Sequence, residues 1–315
     1  MQFNQLKVSL YQSYYNDIAH HQIFSDVTSS HWRDFGEKTT VTHGREDFEI
    51  NAYGISGFSK KTLLRNLKNI PVSYLLSKML NEYNANEETV NCAKAITEKL
   101  NILFNFDHAK HVLIFDLLDS HGFFNTENLI CIIGDGHGFF GTLIKAMRPN
   151  VKILFVNLGR NLMIDSVCFS MFFPDVNPLL LSDLEDHKEI PSHSIMFLEA
   201  EKYGTLEDLP IGLFINIASM QEMDLSVINK YFKIMRTSTV EPYFYCCNRE
   251  EKKLPDGSVI RFMDFPWAEG DEVMVDEPCP WYQKYPSSKP PFWRPFDGTH
   301  LHRLIKFKKM TYELH

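Results

Sequence analysis

The chain has 315 residues, 44% hydrophobic and 13% aromatic, and carries a net charge of −8 from 32 basic and 40 acidic side chains. That length exceeds one compact domain, and the apolar content is ample for an ordered core. The acidic balance leaves no basic footprint for nucleic acid, no apolar stretch reaches bilayer-spanning length, and Met1 to Leu10 lacks a secretory pattern, so a soluble cytoplasmic protein is expected.

Residues 25–58, punctuated by Gly36, Gly44, Gly54 and Gly57, read as a structured loop or arm. From about residue 60 to 118 the apolar positions recur at helical spacing, first at Leu63, Leu64 and Leu67, then at Val72, Leu75, Leu76, Met79 and Leu80. Pro71 predicts a break between two helices. A further helix is expected after Glu87-Glu88, through Val90, Ala93 and Ile96, and another from Ala109 to Leu118.

After Asn125 the texture changes to short apolar runs at Leu129 to Ile133, Val151 to Val156, Ile195 to Leu198, Gly212 to Ile217 and Tyr243 to Cys247. Separated by helix-length segments, they predict a parallel sheet with crossover helices. The turn Leu254-Pro-Asp-Gly257 feeds a strand at Val259 to Met263, and Leu301 to Phe307 forms a terminal strand, so the tail adds antiparallel strands. The expected division is a mainly helical region, 1–125, with a cap, substrate or oligomerisation role, and an α/β domain, 126–315. None of the six cysteines forms a C-x-x-C pair, and reduced, mostly buried thiols are expected.

The central motif is Ile133-Gly134-Asp135-Gly136-His137-Gly138 with Gly141, in which an apolar strand runs through glycines into a helix. Such a turn lets a ligand approach the backbone, and free amides at the helix start favour a negative group. Gly136, Gly138 and Gly141 satisfy G-x-G-x-x-G, and Asn157 stands where a dinucleotide enzyme places its ribose-binding carboxylate, so a nicotinamide-dependent oxidoreductase competes with a methyl-donor enzyme. Against the dinucleotide, the sheet starts only after more than a hundred helical residues and ends in hairpin-like strands. No Lys-Ser or Lys-Thr pair follows Gly141, which excludes a P-loop.

From Trp32 onward the chain resembles the sugar O-methyltransferases of bacterial surface-polysaccharide clusters. The resemblance lies in Ile133 to Gly138, in Asn157-Leu-Gly159 with Phe173-Pro174, in Asn216-Ile-Ala-Ser-Met-Gln-Glu-Met223, and in Asn248-Arg249 with Leu254 to Gly257, Arg261-Phe262 and Asp264-Phe-Pro-Trp267. It implies a Rossmann-like class I methyltransferase sheet with an N-terminal helical extension and C-terminal antiparallel strands. S-adenosylmethionine would be the donor and a hydroxyl of a sugar, nucleotide sugar or surface polysaccharide the acceptor. The departures are Ile132, two positions before the first glycine, and Asn157, ending the second strand, both of which are usually acidic in that class. A binding protein with a degenerate donor site is the non-catalytic alternative.

The donor-site candidates are Gly134, Asp135, Gly136, His137 and Gly138 in the turn, Asn157 and Leu158 after the second strand, Glu199 after the third, and Ala218 and Ser219 after the fourth. Glu222, near the ligand-binding edge of the fourth strand, is either the base for the hydroxyl proton or a helix-terminal charge. Asn216 is a buried amide needing a partner. Gln221, Asn248, Arg249 and Trp267 are acceptor-side candidates, with Arg249 suited to a phosphate or carboxylate. Asp264 either faces the pocket, where it binds sugar hydroxyls or serves as an alternative base, or caps a turn. His300 and His302 share a strand face, a spacing compatible with metal ligation or with one of them acting as base, and His300 is an alternative base beside Asp264. The chemistry requires no metal, although a divalent cation orienting vicinal hydroxyls is compatible with it. Six aromatic side chains between Pro278 and Gly298 either cap the acceptor pocket, cover the core or form a homodimer contact.

Overall fold

The computed structural model describes residues 27–36, 40–43, 48–51, 63–176, 178–181, 190 and 194–308. Helix α1 (Ser30–Gly36) is followed by an antiparallel pair, β1 (Thr40–His43) and β2 (Phe48–Asn51), within the segment expected to be an arm. Within that segment residues 25–26, 37–39, 44–47 and 52–58 lie outside the described residues. Three helices follow, α2 (Leu63–Glu82), α3 (Glu87–Lys99) and α4 (Phe106–Ser120).

Pro71 does not end a helix, because α2 runs through it. The turns beyond Pro71 bury Leu76, Met79 and Leu80, and this packing outweighs the lost backbone hydrogen bond. Helix α4 starts three residues before its expected first residue. Asn105 Oδ1 accepts the amides of Asp107 and His108, and the Asn105 amide donates to His108 Nδ1 at 3.0 Å, a reciprocal cap with histidine in the usual glutamate position.

The second half alternates as expected: β3 (Leu129–Ile133), α5 (Phe139–Met147), β4 (Lys152–Asn157), α6 (Gly159–Phe172), β5 (Leu179–Leu180), β6 (Ile195–Glu199), β7 (Ile211–Ile217), α7 (Leu225–Thr237) and β8 (Tyr243–Arg249). Six short strands complete it: β9 (Glu251–Lys253), β10 (Val259–Arg261), β11 (Glu272–Pro278), β12 (Lys284–Pro286), β13 (Trp293–Pro295) and β14 (His300–Lys306). The main sheet has the order β11-β14-β8-β7-β3-β4-β6-β5, with β3 to β8 parallel. Strand β14 runs antiparallel to both of its neighbours, β8 and β11. A doubly wound order extended by one reversed strand inserted inside the last makes a Rossmann-like α/β sheet.

Buried strands read as continuous apolar runs because helices cover both faces. Ile130, Ile132, Ile153, Phe155, Phe197 and Ile215 join one core cluster with side chains of α2 to α6. Their neighbours Leu129, Cys131, Ile133, Leu154, Val156 and Phe214 join the other, with Val227, Ile228 and Tyr231 of α7. All six cysteines are free thiols, five of them buried. No described helix is long and apolar enough to cross a membrane.

Candidate functional site

The carboxyl ends of β3, β4, β7 and β8 converge on a cavity of about 290 Å³. Its wall on the β3 side is the glycine turn, where Gly134, Gly136 and Gly138 all have positive φ, of 75°, 84° and 71°. The three glycines differ in what surrounds them. A Cβ on Gly134 would lie 2.1 Å from Ser219 Oγ, and one on Gly138 would lie 2.6 Å from the Asp165 carbonyl oxygen. Gly136 lines the cavity, and a Cβ there would meet nothing within 4 Å. The first and third are therefore glycine for packing, while Gly136 leaves its face open to a ligand.

The start of α5 is not a free anion site. Asp135 Oδ1 accepts the Phe140 amide at 3.0 Å and Oδ2 the Gly141 amide at 2.7 Å, so a carboxylate of the chain itself takes the helix-start donors. Burial pushes the Asp135 carboxyl up to about 6, against the two amide bonds that lower it. Beneath the turn lies a second buried carboxyl, Asp165 of α6, raised well above its ordinary value by burial and by the Asp135 charge. Nothing in the residue pattern around Asp165 singled it out. Its place under the turn follows from α6 packing back onto α5 and β4.

Asn157, at the end of β4, donates its Nδ2 to Asp165 Oδ2 at 2.9 Å, and its Oδ1 accepts the Leu158 amide at 3.0 Å. Its amide orientation is thus fixed, with a second Nδ2 hydrogen and a second Oδ1 lone pair still available at the cavity wall. Leu158, His137, Ala218 and Ser219 also line the cavity. Glu199, paired with Asn157 across β4 and β6, does not. Its Oε1 accepts Lys202 Nζ at 3.1 Å instead.

A buried amide network ties the strand ends together. Asn216 Nδ2 donates to the Ile133 carbonyl at 2.8 Å and to Ser219 Oγ at 2.7 Å, while its Oδ1 accepts the Met220 amide at 3.1 Å and Asn248 Nδ2 at 2.8 Å. Asn248 Oδ1 in turn accepts the Gln221 amide, and Gln221 Oε1 accepts the Arg249 amide at 2.7 Å. Asn248, fully buried and absent from the cavity wall, is therefore a structural link rather than an acceptor contact. Gln221 reaches the wall but commits its carbonyl to the same network.

Glu222 lies at the cavity, with Oε1 at 2.5 Å from Lys252 Nζ and Oε2 at 3.4 Å from His31 Nε2. Burial alone would raise its carboxyl. The His31 hydrogen bond and the Lys252 charge more than offset this and hold it below its ordinary value, so the group is an ionised acceptor. Ser29 Oγ donates to the Glu222 carbonyl, and Val27 and Trp32 complete the wall on that side.

Three other expectations are corrected. Asp264 is half-exposed, lies off the cavity wall and stands 3.9 Å from Arg261, because the short turn Phe262–Asp264 directs it to solvent. Trp267 does not meet the cavity. Its Nε1 donates to the Phe262 carbonyl at 2.8 Å, and its ring packs among Phe232, Phe244 and Phe262 in the core under α7. His300 is buried behind Tyr282, whose ring stacks on it at 3.8 Å, and burial among the Lys110, Arg249 and Lys252 charges drives its imidazole down to about 3. An imidazole so placed touches no ligand in the cavity and stays neutral at pH 7.

The sequence reading missed the contribution of α4. Asp107, Lys110 and His111 line the cavity, as does Tyr282 from the aromatic loop. Lys110 Nζ stands 2.7 Å from Asp107 and 3.5 Å from the Tyr282 ring centroid. Burial would lower the Lys110 ammonium pKa, but the Asp107 charge reverses this and keeps the ion charged. Burial lowers the imidazoles of His111 to about 3 and of His137 to about 4, leaving both neutral. The capping box at Asn105 was a signal for where α4 begins, and hence for the face its first turn presents. Among the described residues no group of three His, Cys, Asp or Glu side chains is arranged to hold a metal.

No protein-family model matches the chain, and no curated protein does. Among solved structures, one from echinomycin biosynthesis, where a disulfide bond becomes a thioacetal group, is 9% identical, with 63% of this chain and 82% of that chain covered and a TM-score of 0.42. A SAM-dependent methyltransferase from Anabaena variabilis is 9% identical over 63% of this chain and 85% of its own, with a TM-score of 0.41. Coclaurine N-methyltransferase bound to N-methylheliamine and SAH is 11% identical over 69% and 74%, with a TM-score of 0.37.

Proposed function

We propose that the chain is an S-adenosylmethionine-dependent O-methyltransferase acting on a hydroxyl of a sugar, nucleotide sugar or surface polysaccharide. The observation that carries the donor reading is Asp135. A dinucleotide would set its pyrophosphate on the amides that open the helix after G-x-G-x-x-G, and in this chain a carboxylate already holds the amides of Phe140 and Gly141. A second negative group there would face like-charge repulsion, whereas a donor without phosphate needs only the open backbone face at Gly136 and the polar edge at Asn157. This weighs against the nicotinamide alternative.

S-adenosylmethionine, when bound, supplies a methyl group activated by its sulfonium. The residues that would hold it are Gly134, Gly136 and His137 of the turn, Asn157 and Leu158 beside the ribose, and Ala218 and Ser219 at the end of β7. Glu222, ionised and held by Lys252 and His31, is positioned to accept the proton that the acceptor hydroxyl must lose. In this reading the helices of 1–125 serve as a cap on the acceptor side, through Asp107, Lys110 and His111.

Calorimetry with S-adenosylhomocysteine and with NAD, followed by turnover on a panel of sugars and nucleotide sugars, tests the reading. Tight NAD binding without S-adenosylhomocysteine binding would overturn it. Donor binding with no turnover across the panel would leave a non-catalytic binding protein.

A further inference from the structure

Three cations line the cavity: Lys110 from α4, Arg249 at the end of β8 and Lys252 of β9. All three charges act to lower one buried imidazole, His300, which lies behind the cavity. Two of them are neutralised, Lys110 by Asp107 at 2.7 Å and Lys252 by Glu222 at 2.5 Å. Arg249 makes no ion pair among the described residues. Its Nη1 donates to the Asp297 carbonyl at 3.2 Å, while its Nε is buried with no hydrogen-bond partner. The buried Nε is shut off from the cavity as well as from water, so the part of the guanidinium left to meet a ligand is Nη2, which makes no hydrogen bond among the described residues and whose charge and planar geometry suit an oxygen of a carboxylate or phosphate.

Resting on the methyl-transfer reading above, we propose that Arg249 is the anion-binding residue of the acceptor subsite, and that the acceptor is an acidic or phosphorylated sugar rather than a neutral one. Two anions are available to it, the amino-acid carboxylate of the donor and a negative group on the acceptor. Position favours the acceptor. The donor contacts lie at the ends of β3, β4 and β7, and Arg249 ends β8, the outermost parallel strand on that side and the one of the four converging strand ends that carries no donor contact. An acceptor anchored there by its charge sits in the same wall as Glu222, within the reach of a proton-accepting carboxylate.

The test titrates the full chain, saturated with S-adenosylhomocysteine, with inorganic phosphate, glucuronate and glucose, in wild type and in Arg249→Met. Phosphate and glucuronate are expected to bind the wild type and glucose not to. Arg249→Met should weaken both anions at least about tenfold while S-adenosylhomocysteine affinity stays within about twofold. Equal anion binding by the two proteins overturns the proposal, and so does glucose binding as tightly as glucuronate. The donor as source is read separately. If Arg249→Met weakens S-adenosylhomocysteine about tenfold or more but leaves methylthioadenosine, which lacks the carboxylate, unchanged, the guanidinium belongs to the donor and the proposal fails. Should Arg249→Met not fold, Arg249→Lys keeps the charge but loses the planar geometry, and weaker phosphate and glucuronate binding at an unchanged melting temperature is the expected result. Titrating anions without S-adenosylhomocysteine keeps failure of the subsite distinct from failure of the donor reading.

Discussion

Alanine at Gly136 and at Gly138 should give opposite phenotypes despite nearly equal backbone angles of 84° and 71°. Both substitutions incur the left-handed penalty of an L residue, about 1–2 kcal/mol. At Gly138 the new Cβ also lies 2.6 Å from the Asp165 carbonyl oxygen and 2.9 Å from its Cα, contacts with backbone that no side-chain rotation relieves, which adds about 1–3 kcal/mol of overpacking. At Gly136 nothing lies within 4 Å, and the methyl group enters the space assigned to the donor. With about 1.5 °C lost per kcal/mol in a chain of this size, Gly136→Ala should lower the melting temperature by about 1.5–3 °C and Gly138→Ala by about 3–8 °C. Affinity should run the other way. Gly136→Ala loses at least about tenfold in S-adenosylhomocysteine binding, and whatever Gly138→Ala protein remains folded loses less. Scanning fluorimetry and calorimetry on the same preparations supply both readings. Wild-type affinity in Gly136→Ala would refute the reasoning, because the donor could not then lie over that glycine.

Glu222→Gln should lower single-turnover rate by about a hundredfold to ten-thousandfold while S-adenosylhomocysteine affinity holds, and an unchanged rate would remove Glu222 as the base. In the wild type, the Glu222 carboxyl is held below its ordinary value near 4.5, so the stability from its pairs with His31 and Lys252 is complete above that value and drains as pH falls below it. Urea melts of wild type and Glu222→Gln should therefore converge in acid. Asn157→Asp sets a third buried carboxyl against Asp165 at the 2.9 Å contact, which raises folded-state pKa values, so the variant should be about 1–3 kcal/mol less stable at pH 8 and recover toward pH 5 as a proton is shared. A pH-independent deficit in chemical denaturation would contradict this. Asn216→Ala removes the acceptor of the Met220 amide and of Asn248 Nδ2, while the Ile133 carbonyl keeps Ser219 Oγ, and should cost about 1–3 kcal/mol by the same measurement.

The parallel strands were legible because burial on both faces makes each one a continuous apolar word, as in Leu129 to Ile133. The glycine turn was legible because positive φ restricts the residue type. Strand β11 was not, since Glu272-Val-Met-Val-Asp-Glu-Pro is an exposed edge strand whose charges blunt pairing and hide the strand pattern. The alternation of His300 and His302 was read correctly as one face, but which face became clear only when Tyr282 and Trp281 from a distant loop covered it. Asp135 and Asp165 illustrate the deeper limit. The first looked like a ligand contact and caps a helix, while the second lies in mid-helix and is met by the turn only after α6 folds back. Lys110 and His111 reach the cavity through the same kind of long-range packing, which no local spacing encodes.

The reversed strand β14 also dictates an assembly schedule. Strand β11 has no neighbour in the main sheet except β14, and β14 comes 22 residues after it, counted from Pro278 to His300. On a growing chain, β8 therefore offers an open edge, and β11 waits unpaired until the later segment threads between them. Contacts made this late and this far apart in sequence slow folding, and an uncovered β8 edge is a template for pairing with another chain. The interval between synthesis of β8 and closure by β14 is thus when this protein is most exposed to aggregation, and a chaperone that covers sheet edges would act on it there.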